Sequence, residues 1–140
     1  MTLTHHVGEH LPPPAGGYSH VVTDGRLIWT AGLGPHDPAT GAVPDGIAAQ
    51  TVATIDNLER ALAVVGAGLG DVAKATVHLA DLADFAEFDA AYSTRFPRPY
   101  PVRTTVGSTL LGIRVEIDVV AVHPNVAAHP SPASSEGEPT

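Results

Sequence analysis

The stretch between residues 101 and 122 constrains the fold of this chain more than any other segment. From residue 113 onward every odd-numbered position is apolar: Ile113, Val115, Ile117, Val119 and Ala121. Alternation with a period of two is typical of a β-strand with one face buried. Arg114, Glu116 and Asp118 are therefore predicted to point to the opposite face of that strand.

A second strand precedes it, in a segment rich in Thr and Val that contains Arg103. We take the turn between the two strands to be centred near Leu111. Arg103 and Thr105 then lie on the same face of the predicted hairpin as Glu116. A guanidinium beside a carboxylate can hold an anionic small substrate and a water molecule. The pattern also allows a purely structural interpretation, in which Arg103 pairs with Asp118 across the hairpin.

The rest of the chain alternates between strand and helix patterns. The predicted order is an irregular lead-in at 1–14, strands at 18–22 and 27–31, a helix at 47–66, a strand at 72–80, a helix that ends near residue 96, and the terminal hairpin. One domain is expected over residues 15–124, and the Ala, Pro, Ser and Glu composition of residues 125–140 predicts a disordered tail. The order β-β-α-β-α-β-β predicts an α+β two-layer sandwich, with two helices on one face of a mixed sheet.

Covering only one face of the sheet has a consequence for assembly. The open face is predicted to carry Arg103, Glu116, Thr76 and His78. A surface that mixes valines with fixed charges is poorly suited to face water alone, so we expect it to pack against copies of itself around a partly polar cavity.

Composition excludes several classes of protein. The 140 residues carry a formal charge of −8, and the 7 basic residues are scattered, which argues against a nucleic-acid partner. The absence of cysteine excludes disulfides, thiolate metal sites and a cysteine nucleophile. No apolar run approaches the roughly 18 residues of a membrane span, and no signal peptide is recognisable. We therefore expect a cytoplasmic protein without a membrane partner.

The 8 histidines raise the question of a metal site. His20, His36, His78 and His123 are far apart in sequence and lack the spacing of zinc motifs. The glycines at 32 and 34 do not make a dinucleotide fingerprint, because no third glycine opens a helix. We predict no metal site.

A series of short segments runs along the chain. Each segment is weak evidence of kinship by itself, but their order and spacing over the whole domain are specific. They are Gly-Gly-Tyr-Ser-His at 16–20, Ile-Trp-Thr-Ala-Gly-Leu-Gly-Pro at 28–35, Asp-Pro-Ala-Thr-Gly at 37–41, Gln50 with Asn57 and Leu58, Val-Ala-Lys-Ala-Thr-Val-His-Leu-Ala-Asp at 72–81, residues 85–92, Pro-Val-Arg at 101–103 and Val-Glu-Ile at 115–117. Over roughly residues 15–123 the chain resembles the RidA/YjgF family of reactive-intermediate deaminases.

The resemblance implies a fold, an assembly and an activity. The fold is the same β-β-α-β-α-β-β sandwich, of the chorismate-mutase-like type, and members assemble as homotrimers with clefts between subunits. The activity is hydrolysis of enamines and imines, such as 2-aminoacrylate and its imino tautomer, to a 2-oxo acid and ammonia. No metal or organic cofactor takes part, and the only other expected partner is a small substrate with a carboxylate.

The resemblance also assigns roles to individual residues. Arg103 matches the arginine that grips the substrate carboxylate, and Glu116 matches the glutamate that holds the attacking water. Tyr18 matches a tyrosine that lines the cleft. Gly32 lies on the loop whose backbone approaches the substrate. From the residues alone, Tyr18 could equally be a plain hairpin aromatic, and Glu116 a solvated strand position.

Several pocket positions depart from the family pattern. Ala31 stands where many members have serine, Leu33 where glutamine is common, Asp89 where asparagine is common, and Thr105 where cysteine is frequent. An apolar wall of Ala31 and Leu33 would suit a bulkier or less polar substrate. A specialised catabolic or biosynthetic role, such as an aminomuconate-type deaminase, is therefore open.

Two other function classes remain. Some family members are described as ribonucleases or translation inhibitors, which the net charge of −8 argues against here. Others are described as chaperone-like or regulatory binding proteins. The presence of both Arg103 and Glu116 favours catalysis over binding alone.

Overall fold

A six-stranded mixed sheet carries two long helices on one of its faces. The computed structural model describes residues 2–127. The strands are β1 (Thr4–His6), β2 (Val21–Thr23), β3 (Leu27–Thr30), β4 (Val72–Leu79), β5 (Val102–Gly107) and β6 (Val115–Val122). The helices are α1 (Ile47–Val64), α2 (Phe85–Arg95) and the single turn α3 (Pro124–Ala127), with short 3₁₀ turns at Leu69–Asp71 and Leu82–Asp84. The predicted two-layer α+β sandwich is confirmed.

The strand order across the sheet is β1-β2-β3-β6-β4-β5. All neighbouring pairs are antiparallel except β4 and β5, which are parallel. A parallel pair needs a crossover connection, and α2 supplies it between these two strands. β5 is the last strand in this order and lies at the outer edge of the sheet.

The predicted terminal hairpin is wrong. β5 and β6 do not pair with each other, because β4 lies between them and bonds to both. The apolar alternation of β6 identified its buried face correctly, with Val115, Ile117, Val119 and Ala121 all buried. Alternation does not reveal which strand is the neighbour, and β6 is a central strand between β3 and β4.

The predicted irregular lead-in over residues 1–14 is also wrong in part. Thr4–His6 form the edge strand β1, in register with β2. Leu11 is buried in the core, and the buried imidazole of His20 bonds to both the amide of Gly8 and the carbonyl of Pro12. The ordered unit thus begins before residue 15. At the other end α3 includes the first residues of the predicted tail, and the remainder of that tail, 128–140, lies outside the described residues.

The core lies between the sheet and the helices. Ile55, Leu58 and Leu62 of α1 are fully buried, at the three- and four-residue spacing of one helix face. Burying each such side chain contributes roughly 1.5–3 kcal/mol. Within residues 2–127, no helix combines the length and apolar character that crossing a bilayer requires.

Candidate active site

A cavity of about 1010 Å³ opens over the face of the sheet that the helices leave uncovered. Its polar lining includes Tyr18, His78, Ser108 and Glu116, and the backbone of Gly32 forms part of its wall. Leu110, Leu111 and Ile113 add an apolar rim. A concave, mostly apolar site with a few convergent polar groups is the usual form of a small-molecule site. A smaller cavity of about 270 Å³ beside α1 contains none of the residues predicted for the site.

Glu116 lies against the loop that follows β3. A Cβ atom on residue 32 would stand 2.9 Å from Cδ of Glu116 and 3.2 Å from its Cγ, so only glycine allows this approach. The loop is held there because Leu33 and Ile117 exchange backbone hydrogen bonds of 2.9 and 3.0 Å. The carboxylate of Glu116 is thus positioned by the contact of β6 with Gly32 and Leu33, in the loop that follows β3.

His78 and Ser108 stand beside this carboxylate. His78 is the register partner of Glu116 across β4 and β6, so their side chains share the open face. Nδ1 of His78 lies 2.7 Å from Oγ of Ser108. The alternation of Thr76 and His78 had placed His78 on this face, whereas no periodic signal pointed to Ser108, which follows the end of β5.

Asp118 is the next acidic residue on the same face. Burial raises the pKa of Asp118 above its ordinary value, and the nearby positive charges of His78 and Lys74 oppose that increase. Part of this face is therefore shielded from water even in a single chain.

Tyr18 borders the cavity with its ring about half exposed. Its phenol oxygen accepts a 3.0 Å hydrogen bond from the amide of Ala15. The hydroxyl proton can then be donated to a ligand in the cavity.

Arg103 lies elsewhere, at the outer edge of the helix-bearing face. Its guanidinium carbon is 4.7 Å from the ring centroid of Tyr92 and 5.5 Å from the centroids of Phe85 and Phe88. Nη1 donates a 2.8 Å hydrogen bond to Oδ1 of Asp89. Stacking on three rings of α2 and pairing with Asp89 hold the guanidinium in one place.

The prediction that Arg103 and Thr105 share a face with Glu116 is wrong. Arg103 is in register with the buried Ala75, whereas Glu116 is in register with His78. Positions 75 and 78 of β4 point to opposite faces because side chains alternate along a strand. The alternative ion pair of Arg103 with Asp118 is wrong for the same reason.

Two further predicted pocket residues follow β3. Ala31 is partly buried against the core, and its amide donates to the carbonyl of His20 at 2.9 Å. Leu33 is part of the cavity lining, but it is only 6% exposed and belongs mainly to the core. Its contribution to an apolar pocket wall is therefore small.

The hydroxyl of Tyr92 is buried and has no hydrogen-bond partner among the described residues. Burial raises its pKa to about 12; Arg103 opposes the increase and Asp89 adds to it. The phenol is therefore neutral at physiological pH and acts as part of the floor beneath Arg103.

The single chain thus presents two separate groups of predicted site residues. Tyr18, Gly32 and Glu116 meet at the large cavity, while Arg103, Asp89 and Thr105 lie on the other side of the sheet. Between residues 2 and 127, no three His, Asp or Glu side chains converge as metal ligands would.

Comparisons with known proteins place this arrangement in a family. Residues 8–123 match the family described as Endoribonuclease L-PSP. A RutC family protein of Pyrococcus abyssi is 40% identical over 115 residues, which cover 81% of this chain and 91% of that protein. The 2-iminobutanoate/2-iminopropanoate deaminase of Escherichia coli K12 is 35% identical over 119 residues, covering 81% of this chain and 93% of the relative. The crystal structure of the YjgF gene product from E. coli superposes with a TM-score of 0.80 at 34% identity, covering 85% of this chain and 98% of that one. From the residues matched and the fold they form, this chain belongs to the RidA/YjgF family.

Proposed function

We propose that the protein is a cofactor-independent deaminase, which hydrolyses enamines and imines of the 2-aminoacrylate and 2-imino acid type to a 2-oxo acid and ammonia. The observation that carries this proposal is the Glu116 carboxylate, held against Gly32 inside a cavity large enough for a small acid. The 35% identical E. coli relative bears the name of such a deaminase.

The chemistry needs little beyond positioning. An imine carbon is already electrophilic, so a water molecule held by Glu116 can add its oxygen to that carbon while Glu116 accepts a proton. That proton passes to the imine nitrogen and gives a carbinolamine. The hydroxyl proton then passes to the amine nitrogen, the carbon–nitrogen bond breaks, and ammonia leaves as the carbonyl forms. Arg103 binds the substrate carboxylate, because its planar guanidinium can donate to both oxygens at once.

A single chain does not bring these two groups onto one substrate. Arg103 and Glu116 lie on opposite faces of the sheet, so the proposal requires Arg103 of one subunit to reach the Glu116 cavity of the next. The open face supports such an association because Trp29, Val102 and Val106 remain exposed there. A ring of three identical contacts gives three equivalent sites, which is the homotrimer that we propose.

A role in RNA cleavage is less consistent with the surface charge. Three of the arginines are already paired with carboxylates: Arg95 with Asp56 and Glu59, Arg103 with Asp89, and Arg114 with Asp84. With a formal charge of −8, the chain offers little to a phosphate backbone.

The direct test couples the purified protein to an enzyme that generates a 2-imino acid, and follows release of the 2-oxo acid and ammonia. We expect release to be faster than spontaneous hydrolysis, and Arg103→Lys to lose most of that acceleration. Lysine keeps the charge but not the paired donors, and the lost interaction is worth about 1.5–3 kcal/mol. A rate equal to spontaneous hydrolysis for several imino acids would disprove the proposal. Light scattering on the same sample measures the mass, and a monomer at micromolar concentration would exclude the shared site.

A further inference from the structure

The ion pair between Arg103 and Asp89 bears on substrate choice. Arg103 is the group proposed to receive a carboxylate, yet its Nη1 already donates to a carboxylate of the same chain at 2.8 Å. The pair therefore places one basic and one acidic side chain side by side at the point where a substrate carboxylate would bind. A substrate that carries only a negative charge gains less from this arginine than from an unpaired one.

Asp89 is one of several groups that hold Arg103 in place. The guanidinium also lies over the rings of Phe85, Phe88 and Tyr92, at 4.7–5.5 Å from their centroids. An asparagine at position 89 could accept the same hydrogen bond without bringing a negative charge. What the Asp89 carboxylate adds, beyond a hydrogen bond that an asparagine could also make, is a negative charge beside the guanidinium.

Asp89 also offers unused acceptor capacity. Among the hydrogen bonds of residues 2–127, its carboxylate is engaged only through Oδ1, by Arg103, and its side chain is 41% exposed. The second oxygen can accept a donor from a ligand bound beside it. The arginine and the aspartate together present one positive and one negative group, which is complementary to a zwitterion.

We propose that Asp89 makes the site selective for 2-imino acids whose side chain carries a positive charge, with the ligand carboxylate on Arg103 and the ligand cation on Asp89. This inference rests on the proposed deaminase function and adds a substrate class to it. Simple anionic imino acids are bound less well, because their carboxylate must approach within a few ångströms of the Asp89 charge. In a partly buried site such repulsion is only incompletely screened by salt.

The test compares two 2-oxo acids, 2-oxo-5-guanidinopentanoate, whose side chain is cationic, and 2-oxohexanoate, whose side chain is neutral. Dissociation constants are measured by calorimetry for the parent, Asp89→Asn and Asp84→Asn. Asp84→Asn is the matched control, because it removes the same charge from the start of α2 but from a contact with Arg114. The preference for the guanidino acid is a ratio within each protein, so small losses of folded protein cancel.

We expect the parent and Asp84→Asn to bind the guanidino acid more tightly. Asp89→Asn is expected to lose that preference by on the order of tenfold and to bind 2-oxohexanoate more tightly than the parent does. The change in preference should shrink as salt is raised.

The outcomes separate this inference from the function on which it depends. If the parent binds both acids, Arg103→Lys weakens both, and Asp89→Asn leaves their ratio unchanged, the charge selection is wrong while the deaminase proposal stands. If the parent binds neither acid and does not accelerate imine hydrolysis, both are wrong.

Discussion

The guanidinium of Arg103 and the carboxylate of Glu116 lie on opposite faces of one sheet, on strands β5 and β6, with β4 between those strands. A substrate small enough to be a 2-imino acid cannot contact both groups of the same chain. Any chemistry that uses both residues must therefore take place between two copies of the protein.

Subunit mixing tests this directly. Arg103→Lys and Glu116→Gln are each expected to be nearly inactive alone. When the two are unfolded together in equal amounts and refolded, hybrid trimers should regain about a quarter of the parent activity, since mixed trimers form three times in four and each has one intact site of three. Refolding each variant alone is the control. Hybrid trimers that form without recovering activity would show that the two residues act within one subunit.

Glu116→Gln separates binding from chemistry. The amide keeps the shape and can still hold a water molecule, but it cannot accept a proton. We expect affinity for a 2-oxo acid to be nearly unchanged and single-turnover hydrolysis of the imine to be slower by roughly 10²–10⁴-fold. A parallel loss of affinity and rate would instead indicate a structural role for Glu116.

Gly32→Ala tests the contact that positions the carboxylate. The added Cβ would meet Cδ of Glu116 at 2.9 Å, so the side chain must move. We expect kcat to fall on the order of 10²-fold while the melting temperature changes little. Gly70→Ala is a suitable control, because a Cβ there meets nothing within 4 Å. Unchanged kinetics would mean that the position of Glu116 in the free protein does not matter.

Tyr92→Phe tests whether the buried hydroxyl of Tyr92 destabilises the folded protein. The hydroxyl has no partner in the described part of the chain, while the ring packs on Phe88 and Phe96 at centroid distances of 5.5 and 4.5 Å. Removing it should leave the free energy of unfolding unchanged or increase it by ~1 kcal/mol. Denaturant titration measures this, with Tyr100→Phe as a comparison that loses a bond to the Ser93 carbonyl. A clear loss of stability would reveal a partner for Tyr92 in a neighbouring subunit.

Asp118→Asn tests the pH dependence of stability. Burial raises the pKa of this carboxyl above its value in the unfolded chain, so the folded state binds the proton more tightly. The resulting stabilisation is present below the unfolded pKa and is lost as pH rises through the folded one. The melting temperature of Asp118→Asn should therefore rise relative to the parent between about pH 3 and pH 7.

Asp24→Asn is the control of opposite sign. Hydrogen bonds from the amides of Leu27 and Arg26 lower the pKa of Asp24, so that variant should lose stability relative to the parent as pH rises. If both variants respond to pH in the same direction, the local causes assigned to the two shifts are wrong.

The local patterns of the sequence determined a large part of this protein. The spacing of Ile55, Leu58 and Leu62 predicted α1 and its buried face, and the alternation through Ile117 predicted β6 and the outward direction of Glu116. These predictions hold because helix and strand periods decide which side chains share a face, whatever the partner. The edge strand β1 was not predicted, because three residues are too few to show a periodic pattern.

Only the tertiary structure decided how these elements meet. Strand neighbours are selected by backbone hydrogen bonds between distant segments and by the path of α2. Neither can be predicted from the residue types of β5 or β6. Because β4 lies between those strands, its register with each of them places Arg103 on the face opposite Glu116, where Arg103 pairs with Asp89. The residue types at the site were readable in the sequence, whereas the distribution of those residues over two faces, and hence over two subunits in the proposed enzyme, follows from strand pairing alone.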